Sequence, residues 1–467
     1  MAYNGTFFDS SYFPYIGYNS GGEIDNPVRR REEKLPPLEE MAQRGDPYYS
    51  QLNLFTQDAD WVTYHTVVST SADQMAISPG YLQKQWTQDG RNYYEYSMGS
   101  TKIADFYSYL SARYAVKRDK WQNVNLEVYY TPQHTYDLDK MIDSSKTGLD
   151  YYTKYYSPYQ FGQYRIMEFP RYRGFAQSFP NTVPYSEDIG FIGRLLKPED
   201  IDFTYFVTAH ELAHQWWGHQ IIGADVQGSN MMSESLAEYS ALRVMQHKYG
   251  DAQMRRFLRH ELDGYLRGRA GEVRHEPPLL LVQREAYVWY QKGSLTLYAL
   301  SDYIGEDKLN EALGNYLRQN RYAQGPYPDT RGFADALRGA TPPELQYLIT
   351  DMFETITLYD NRVVNATWQE TPDHKYKVVM TVKSHKMKAN GDGAEHEVPI
   401  HDLIEVGVFS GVKDHEEPIH VEKQWITQND STITFIVDQK PTRAGIDPYN
   451  KLIDRNPEDN MTDVSKM

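Results

Sequence analysis

The segment His-Glu-Leu-Ala-His at residues 210–214 constrains this chain more than any other feature. Apolar residues recur at three- and four-residue spacing from 200 to 217, which predicts a helix. Histidines four residues apart lie on one face of such a helix, so His210 and His214 can reach the same ion. Zinc accepts nitrogen and oxygen ligands in a tetrahedron, and a catalytic site leaves one of the four positions to water. Glu211, between the two histidines, is placed to take a proton from that water.

A second helix is expected to complete this metal site. Periodic apolar residues predict a helix from 230 to 249, and the sequence Ser-Glu-Ser-Leu-Ala-Glu-Tyr lies near its start. We predict that Glu234 is the third ligand of one zinc ion per chain. Glu238, one turn later, is placed to accept a hydrogen bond from the distal N–H of a ligand histidine. The alternatives are two ordinary helical histidines, and two solvated glutamates that the dipole at a helix start favours.

Composition and charge narrow the class of ligand. The net charge is −16 and the isoelectric point is about 5.4, which disfavours nucleic acid as a partner. Cysteine is absent, so metal ligands must be His, Asp or Glu. No run approaches the roughly 18 apolar residues that a membrane-spanning helix needs. The first residues have neither the basic start nor the apolar core of a secretion signal. We therefore expect a soluble chain.

The pattern along the chain predicts a multidomain α+β fold. Short β-prone runs separated by turn residues predict a β domain at residues 1–121. Helical periodicity dominates residues 122–358, which predicts a mostly helical domain. Strand patterns return at residues 359–467 and predict a C-terminal β-sandwich. The polar tail from Asn460 is expected to fray.

The HExxH motif followed by a glutamate at the start of a second helix resembles the gluzincin peptidases of the membrane alanyl aminopeptidase family. Nineteen residues separate His214 from Glu234 here, where that family usually has 18. The segment Tyr-Gln-Lys-Gly at 290–293 is similar to the family's Tyr-x-Lys-Gly segment. The resemblance implies that Tyr290 stabilises the oxyanion of the tetrahedral intermediate. It also implies a thermolysin-like catalytic domain, preceded by a truncated β domain and followed by a β-sandwich.

One departure from the family concerns recognition of the substrate. Family aminopeptidases carry Gly-x-Met-Glu-Asn before the zinc helix, and its glutamate binds the free amine. Residues 174–179 read Gly-Phe-Ala-Gln-Ser-Phe, so Gln177 or Ser178 stands in place of that glutamate. Neither side chain carries charge, and losing the charge-assisted hydrogen bond costs about 1.5–3 kcal/mol. Glu168 and Glu187 are the candidates to supply a carboxylate from another direction.

Two functions of different classes follow. The first is a zinc-dependent peptidase, aminopeptidase-like, with altered recognition of the peptide's N-terminal amine. The second is a non-catalytic domain that holds peptides for a transporter, which the changed stretch at 174–179 motivates. An endopeptidase or an epoxide-opening enzyme is a third reading. Residues 210–220 and 224–242 are most similar to the peptidase module of bacterial ABC-transporter permease fusions. That similarity implies an extracytoplasmic chain attached to a membrane portion absent here; otherwise a cytoplasmic location is expected.

Overall fold

The computed structural model describes residues 5–13, 22–56, 61–197, 200–412 and 416–467. The chain divides into two compact units. The first unit comprises Met1–Lys248, Leu280–Gln283 and Ile304–Pro342, and the second comprises Tyr249–Leu279, Arg284–Tyr303 and Pro343–Met467. The division into three domains at residues 121 and 358 remains a prediction.

Helices are concentrated in the middle of the chain, as the sequence predicts. Within the described residues they are α1 (Pro27–Glu32), α2 (Leu138–Tyr155), α3 (Phe203–Ala213), α4 (Ser229–Tyr249), α5 (Met254–Ala270), α6 (Gly293–Ile304), α7 (Glu306–Asn320), α8 (Thr330–Ala340) and α9 (Gln346–Ile349). None of these helices combines the length and the apolar character that crossing a bilayer requires.

Most strands lie toward the two ends of the chain, and β11 and β12 lie between helices in its middle. They are β1 (Thr6–Asp9), β2 (Trp61–Val62), β3 (His65–Ser71), β4 (Met75–Ile77), β5 (Tyr81–Gln88), β6 (Arg91–Ser97), β7 (Ile103–Ala104), β8 (Ser108–Ala112), β9 (Ala115–Trp121), β10 (Val124–Tyr130), β11 (Gln163–Phe169), β12 (Thr182–Ser186), β13 (Ile356–Glu370), β14 (Tyr376–Ala389), β15 (Glu395–Val398), β16 (Asp402–Ser410), β17 (Glu417–Ile426), β18 (Asp430–Val437), β19 (Arg443–Ile446), β20 (Met461–Asp463) and β21 (Ser465–Lys466).

The first unit begins with small antiparallel sheets, in the orders β1-β8-β4, β3-β6-β5 and β2-β7. A further sheet, β12-β11-β10-β9, joins this region to the helices. Within it β10, β11 and β12 run parallel, while β9 is antiparallel to β10. Strands β11 and β12 are buried along almost their whole length, as is typical of parallel strands covered on both faces. The predicted order of a β-rich N-terminal region followed by a helical region is confirmed.

The C-terminal part of the second unit contains two sheets. One has the order β15-β14-β13-β21 with β18 added to β14, and the other has the order β17-β16-β19-β20. That these sheets form a β-sandwich remains a prediction. The expectation of a frayed tail from Asn460 is wrong, because β20 pairs with β19 and β21 pairs with β13. Backbone pairing to strands more than 15 residues away holds the polar tail in place, and a local pattern does not reveal such pairing.

A buried carboxylate in the second unit predicts a pH dependence of stability. Asp454 accepts backbone hydrogen bonds from Asn361 (2.8 Å) and Asn456 (2.9 Å). Burial nevertheless raises its pKa from 3.8 to about 7. The folded state therefore holds a proton between these two pH values that the unfolded state has lost. Its contribution to the free energy of unfolding is complete below pH 3.8 and falls by about 4 kcal/mol as the pH rises through 7.

Urea unfolding from pH 4 to pH 8 measures this dependence. We expect the wild type to lose stability with rising pH more steeply than Asp454→Asn, whatever the absolute stability of the variant. Equal slopes for the two proteins would show that Asp454 titrates normally in the folded state.

Candidate metal centre

Helix α3 carries the HExxH motif and is held in place by polar contacts along its length. Its first turn is capped by Asp202, whose carboxylate accepts a hydrogen bond from the backbone N–H of Tyr205 (3.1 Å). The hydroxyl of Tyr152 on α2 donates to the carbonyl of Ala209 (2.9 Å). The helix ends at Ala213, four residues before the predicted end, although the next residue keeps helical dihedral angles. These contacts fix the direction in which the motif's side chains project.

The structure brings the three predicted metal ligands together. Nε2 of His210 and Nε2 of His214 lie 3.0 Å apart. Oε2 of Glu234, in the second turn of α4, lies 3.4 Å from Nε2 of His210 and 3.3 Å from Nε2 of His214. All three residues belong to the first unit, and both histidines are buried. One side-chain atom from each residue therefore faces a common point.

Hydrogen bonds determine which nitrogen of His214 faces that point. Its Nδ1 donates to the carbonyl of Trp217 (2.9 Å), so the neutral ring keeps a lone pair on Nε2. The hydroxyl of Ser233 donates to the same carbonyl (3.1 Å). For His210, Nδ1 lies 3.7 Å from Oε2 of Glu238, the residue predicted to orient a ligand histidine. Both rings thus present Nε2 to the centre, as in histidine-ligated metal sites.

The donor set fits a zinc ion. A tetrahedral ion bonded at about 2.0–2.1 Å to nitrogen and oxygen places its ligand atoms roughly 3.3 Å apart. The three distances of 3.0, 3.3 and 3.4 Å agree with that spacing. Two imidazole nitrogens and a carboxylate oxygen are also ligands that zinc prefers. Beside them, Oε2 of Glu211 is buried and receives no hydrogen bond from the part of the chain that the structure describes. Such an atom is suited to accept a proton from a water molecule.

The electrostatics of the cluster follow from burial and from the mutual proximity of its charges. Burial raises the pKa of Glu211, and the two nearby imidazoles partly offset this effect. Burial also disfavours the charged form of Glu234, but His214 and His210 lower its pKa well below the usual value. Burial likewise opposes protonation of the two histidines, but nearby carboxylates raise the pKa of both. The strongest such effect comes from Glu238 at His210 and from Glu234 at His214. The cluster therefore favours a cation at its centre.

The residues at the predicted amine-binding position have other partners. The hydroxyl of Ser178 accepts a hydrogen bond from Nε2 of Gln215 (2.6 Å). The backbone N–H of Gln177 donates to the carbonyl of Pro184 (3.1 Å), and its side chain is half-buried. Nε2 of His219 donates to the carbonyl of Ser178 (3.1 Å). Sequence reasoning missed Gln215, directly after the motif, and His219, five residues after it, although polar residues in a stretch rich in tryptophan were a signal.

The two carboxylates considered as substitutes lie in a separate cluster. Glu168 is buried, accepts a hydrogen bond from the backbone of Thr131 (2.6 Å) and contacts Nδ1 of His134. Oε2 of Glu187 lies 3.9 Å from the same imidazole nitrogen, while its Oε1 accepts from the backbone of Arg171 (2.9 Å). Both oxygens of Glu168 are therefore already engaged within the protein.

Tyr290 belongs to the second unit, in the π-helical turn Val288–Lys292 that precedes α6. Its side chain is half-buried. Its predicted role at the oxyanion remains a prediction.

Comparison with known proteins adds an independent observation. Residues 140–352, less than half of the chain, match the Peptidase family M1 domain. The middle of this chain is similar to the M1 peptidases. The match contains α3 and α4 and therefore all three candidate ligands.

Individual relatives agree with the family match. Human endoplasmic reticulum aminopeptidase 2 is 23% identical over 214 residues, which cover 44% of this chain and 22% of the relative. Probable aminopeptidase 1 of Sulfurisphaera tokodaii is 22% identical over 40% of this chain and 25% of its own length. The aligned part thus spans about a quarter of each relative. These aminopeptidase homologues support a metallopeptidase-like function.

Solved structures support the fold. The superposition with the structure of Legionella pneumophila aminopeptidase A covers 84% of this chain and 45% of that protein's chain, with a TM-score of 0.55 and 15% sequence identity. The superposition with an M1 zinc metallopeptidase from Deinococcus radiodurans covers 63% of this chain and 64% of that protein's chain, with a TM-score of 0.50 and 17% sequence identity. The mixed α+β architecture of this chain therefore resembles that of M1 aminopeptidases.

A glycine at the start of α4 predicts a large effect on stability. Gly228 has a φ of +87°, and a Cβ there would lie 2.3 Å from the carbonyl oxygen of Leu280. We expect Gly228→Ala to lower the free energy of unfolding by about 2–5 kcal/mol, since left-handed strain and overpacking add. Gly250→Ala is the matched control: its φ is +82°, but no described atom lies within 4 Å of the added Cβ. The control should lose about 1–3 kcal/mol in urea unfolding, because φ +82° with ψ 164° is a backbone conformation that essentially only glycine adopts. Equal losses in the two variants would contradict the close approach.

Proposed function

We propose that this chain is a zinc-dependent metallopeptidase, aminopeptidase-like, that holds one zinc ion through His210, His214 and Glu234. The convergence of two imidazole nitrogens and one carboxylate oxygen within 3.4 Å of one another carries this proposal. The similarity of the middle of the chain to M1 peptidases supports it.

The chain's own residues supply the remaining steps of hydrolysis. When bound, zinc would polarise the scissile carbonyl and make the attacking water more acidic. Glu211 takes the proton from that water, because its Oε2 is buried and has no hydrogen-bond donor among the described residues. The same carboxyl group can then deliver that proton to the leaving amine. Tyr290 is proposed to donate a hydrogen bond to the oxyanion, which rests on the resemblance of its segment alone.

Recognition of the peptide's N-terminal amine is proposed to be altered. At the position of the amine-binding glutamate, Gln177 and Ser178 carry no charge, and the Ser178 hydroxyl already accepts a hydrogen bond from Gln215. Glu168 is engaged by His134 and by the backbone of Thr131. A protonated amine would therefore lose the charge-assisted hydrogen bond that distinguishes it from a blocked one.

Activity on free and N-acetylated forms of one peptide tests this proposal. A charge-assisted hydrogen bond is worth about 1.5–3 kcal/mol, or roughly a 10- to 150-fold preference. Without it, we expect the values of kcat/KM for the two peptides to differ by less than about tenfold. A preference above about tenfold for the free amine would show that another carboxylate has taken over its recognition. No hydrolysis of either peptide would count against the peptidase itself.

The second candidate is a non-catalytic peptide-binding domain of a membrane transporter located outside the cytoplasm. The uncharged residues in the stretch 174–179 motivate it, and the similarity of residues 210–220 and 224–242 to permease-fused modules is consistent with it. Oε2 of Glu211 is buried and receives no hydrogen bond from the described residues, so it can accept a proton from water. This arrangement favours catalysis, because a binding domain does not need a general base. Tight peptide binding by zinc-loaded protein without turnover would select this second function.

A further inference from the structure

Two consecutive residues of α4 contact the two ring nitrogens of His214. Oε2 of Glu234 lies 3.3 Å from Nε2, the nitrogen that faces the proposed ion. Oγ of Ser233 lies 3.3 Å from Nδ1, the other ring nitrogen. His214 stands at the end of α3, so both contacts join the two segments that supply the candidate ligands. The imidazole is thus held by α4 at both of its nitrogens.

The hydroxyl of Ser233 also determines where the proton on Nδ1 of His214 can go. It donates to the carbonyl of Trp217 (3.1 Å), and the same carbonyl accepts the Nδ1–H of His214 (2.9 Å). A hydroxyl that donates its proton keeps lone pairs, which can accept from the same N–H. The N–H therefore lies between two acceptors, one of which is Ser233 and the other of which Ser233 contacts. A ring turned by 180° would present a carbon atom there and lose both contacts.

A purely structural role does not account for this contact. A serine inside a helix often donates to the carbonyl four residues earlier, as Ser240 does with Leu236 (2.6 Å). Ser233 instead donates out of α4, to a carbonyl 16 residues earlier in the chain. That carbonyl already accepts from His214, so it would have a partner without Ser233. Ser233 is only 7% exposed, so little water competes for its hydroxyl.

We propose that Ser233 is a positioning residue of the metal centre. Its hydroxyl fixes the ring of His214 in the orientation that presents Nε2 to the ion, while the next residue of α4 supplies the carboxylate ligand. This inference rests on the proposed function, because it takes the ion to be zinc. Residues that orient a metal ligand typically contribute about 10- to 100-fold to metal affinity.

The zinc affinity of the full chain, measured by competition with a chromophoric chelator, tests this role. We expect Ser233→Ala to bind zinc about 10- to 100-fold more weakly than the wild type. Ser240→Ala is the matched control, because Ser240 is also a buried serine of α4 beside Trp217. Its Oγ accepts from the indole Nε1 of Trp217 (3.2 Å), so it contacts the ring and not the carbonyl. This control should keep the zinc affinity of the wild type.

Two further measurements separate positioning from stability. Urea unfolding of the zinc-free proteins should show similar losses in Ser233→Ala and Ser240→Ala, since each lacks the hydrogen bonds of one buried serine. Ser233→Thr keeps the hydroxyl and should bind zinc more tightly than Ser233→Ala. Rescue by threonine would show that the hydroxyl, and not the packing of the side chain, supports the metal centre.

The outcomes distinguish this inference from the proposed function. Wild-type zinc affinity in Ser233→Ala, an equal loss of affinity in Ser240→Ala, or no gain from threonine would overturn the role of Ser233 and leave the zinc centre standing. Failure of the wild type itself to bind zinc would refute the metal centre and the role of Ser233 with it.

Discussion

Replacing Glu211 with glutamine is expected to lower kcat for peptide hydrolysis by about 10²- to 10⁴-fold, which is the usual contribution of a general acid–base group. Glutamine matches glutamate in size but cannot take a proton from water at neutral pH. Glu211 is not one of the three side chains that converge on the proposed ion. We therefore expect the variant to keep one zinc per chain, measured by metal analysis beside steady-state kinetics.

A matched control separates this effect from a general loss of acidic charge. Glu311→Gln, at an exposed position of α7, makes the same chemical change outside the centre and should retain wild-type activity. Full activity of Glu211→Gln would refute the mechanism. Loss of zinc from that variant would mean that Glu211 has a structural role at the centre.

Removing a ligand is expected to have the second large effect. In His214→Ala the centre retains one nitrogen and one oxygen, and we expect zinc affinity to fall by more than the roughly 10- to 100-fold typical of residues that only orient a ligand. Zinc that binds the folded state stabilises it by about 2.7 kcal/mol at 100 times Kd. Added zinc should therefore raise the unfolding temperature of the wild type but not that of His214→Ala.

The control for this experiment is His374→Ala, whose side chain is 89% exposed in the second unit. Its response to zinc should equal that of the wild type, because one exposed imidazole with a single carboxylate beside it, that of Glu370, does not make up a three-ligand site. If His214→Ala retains both one zinc per chain and the thermal response, the proposed centre is wrong. Metal analysis gives the zinc content per chain, and calorimetric scans with and without added zinc give the thermal response.

Much of the fold could be predicted because it depends on local periodicity. The predicted helix at 230–249 agrees with α4 within one residue, since its apolar residues recur at helical spacing. Strands β11 and β12 were not predicted, because strands buried on both faces lack an alternating pattern. The paired tail after Asn460 was predicted wrongly because its partners are distant in sequence.

In the candidate metal centre, too, local features could be predicted from the sequence and contacts between distant residues could not. The spacing of His210 and His214 along one helix places both rings on one face, and that follows from helical geometry alone. Sequence could not show that Nδ1 of His214 donates to the carbonyl of Trp217 or that the Ser178 hydroxyl is engaged by Gln215. Those contacts depend on the path that the chain takes in space after the end of α3.

By itself, the sequence determined the chemistry available to this protein: a nitrogen and oxygen donor set, a carboxylate between the two histidines, and no thiolate. Only the tertiary structure decided the distances of 3.0 to 3.4 Å between the donors and the acceptor left unpaired on His219 among the described residues. The physical reason is that residue type and helical period are local properties. Convergence and hydrogen-bond satisfaction depend instead on how separate helices and loops pack.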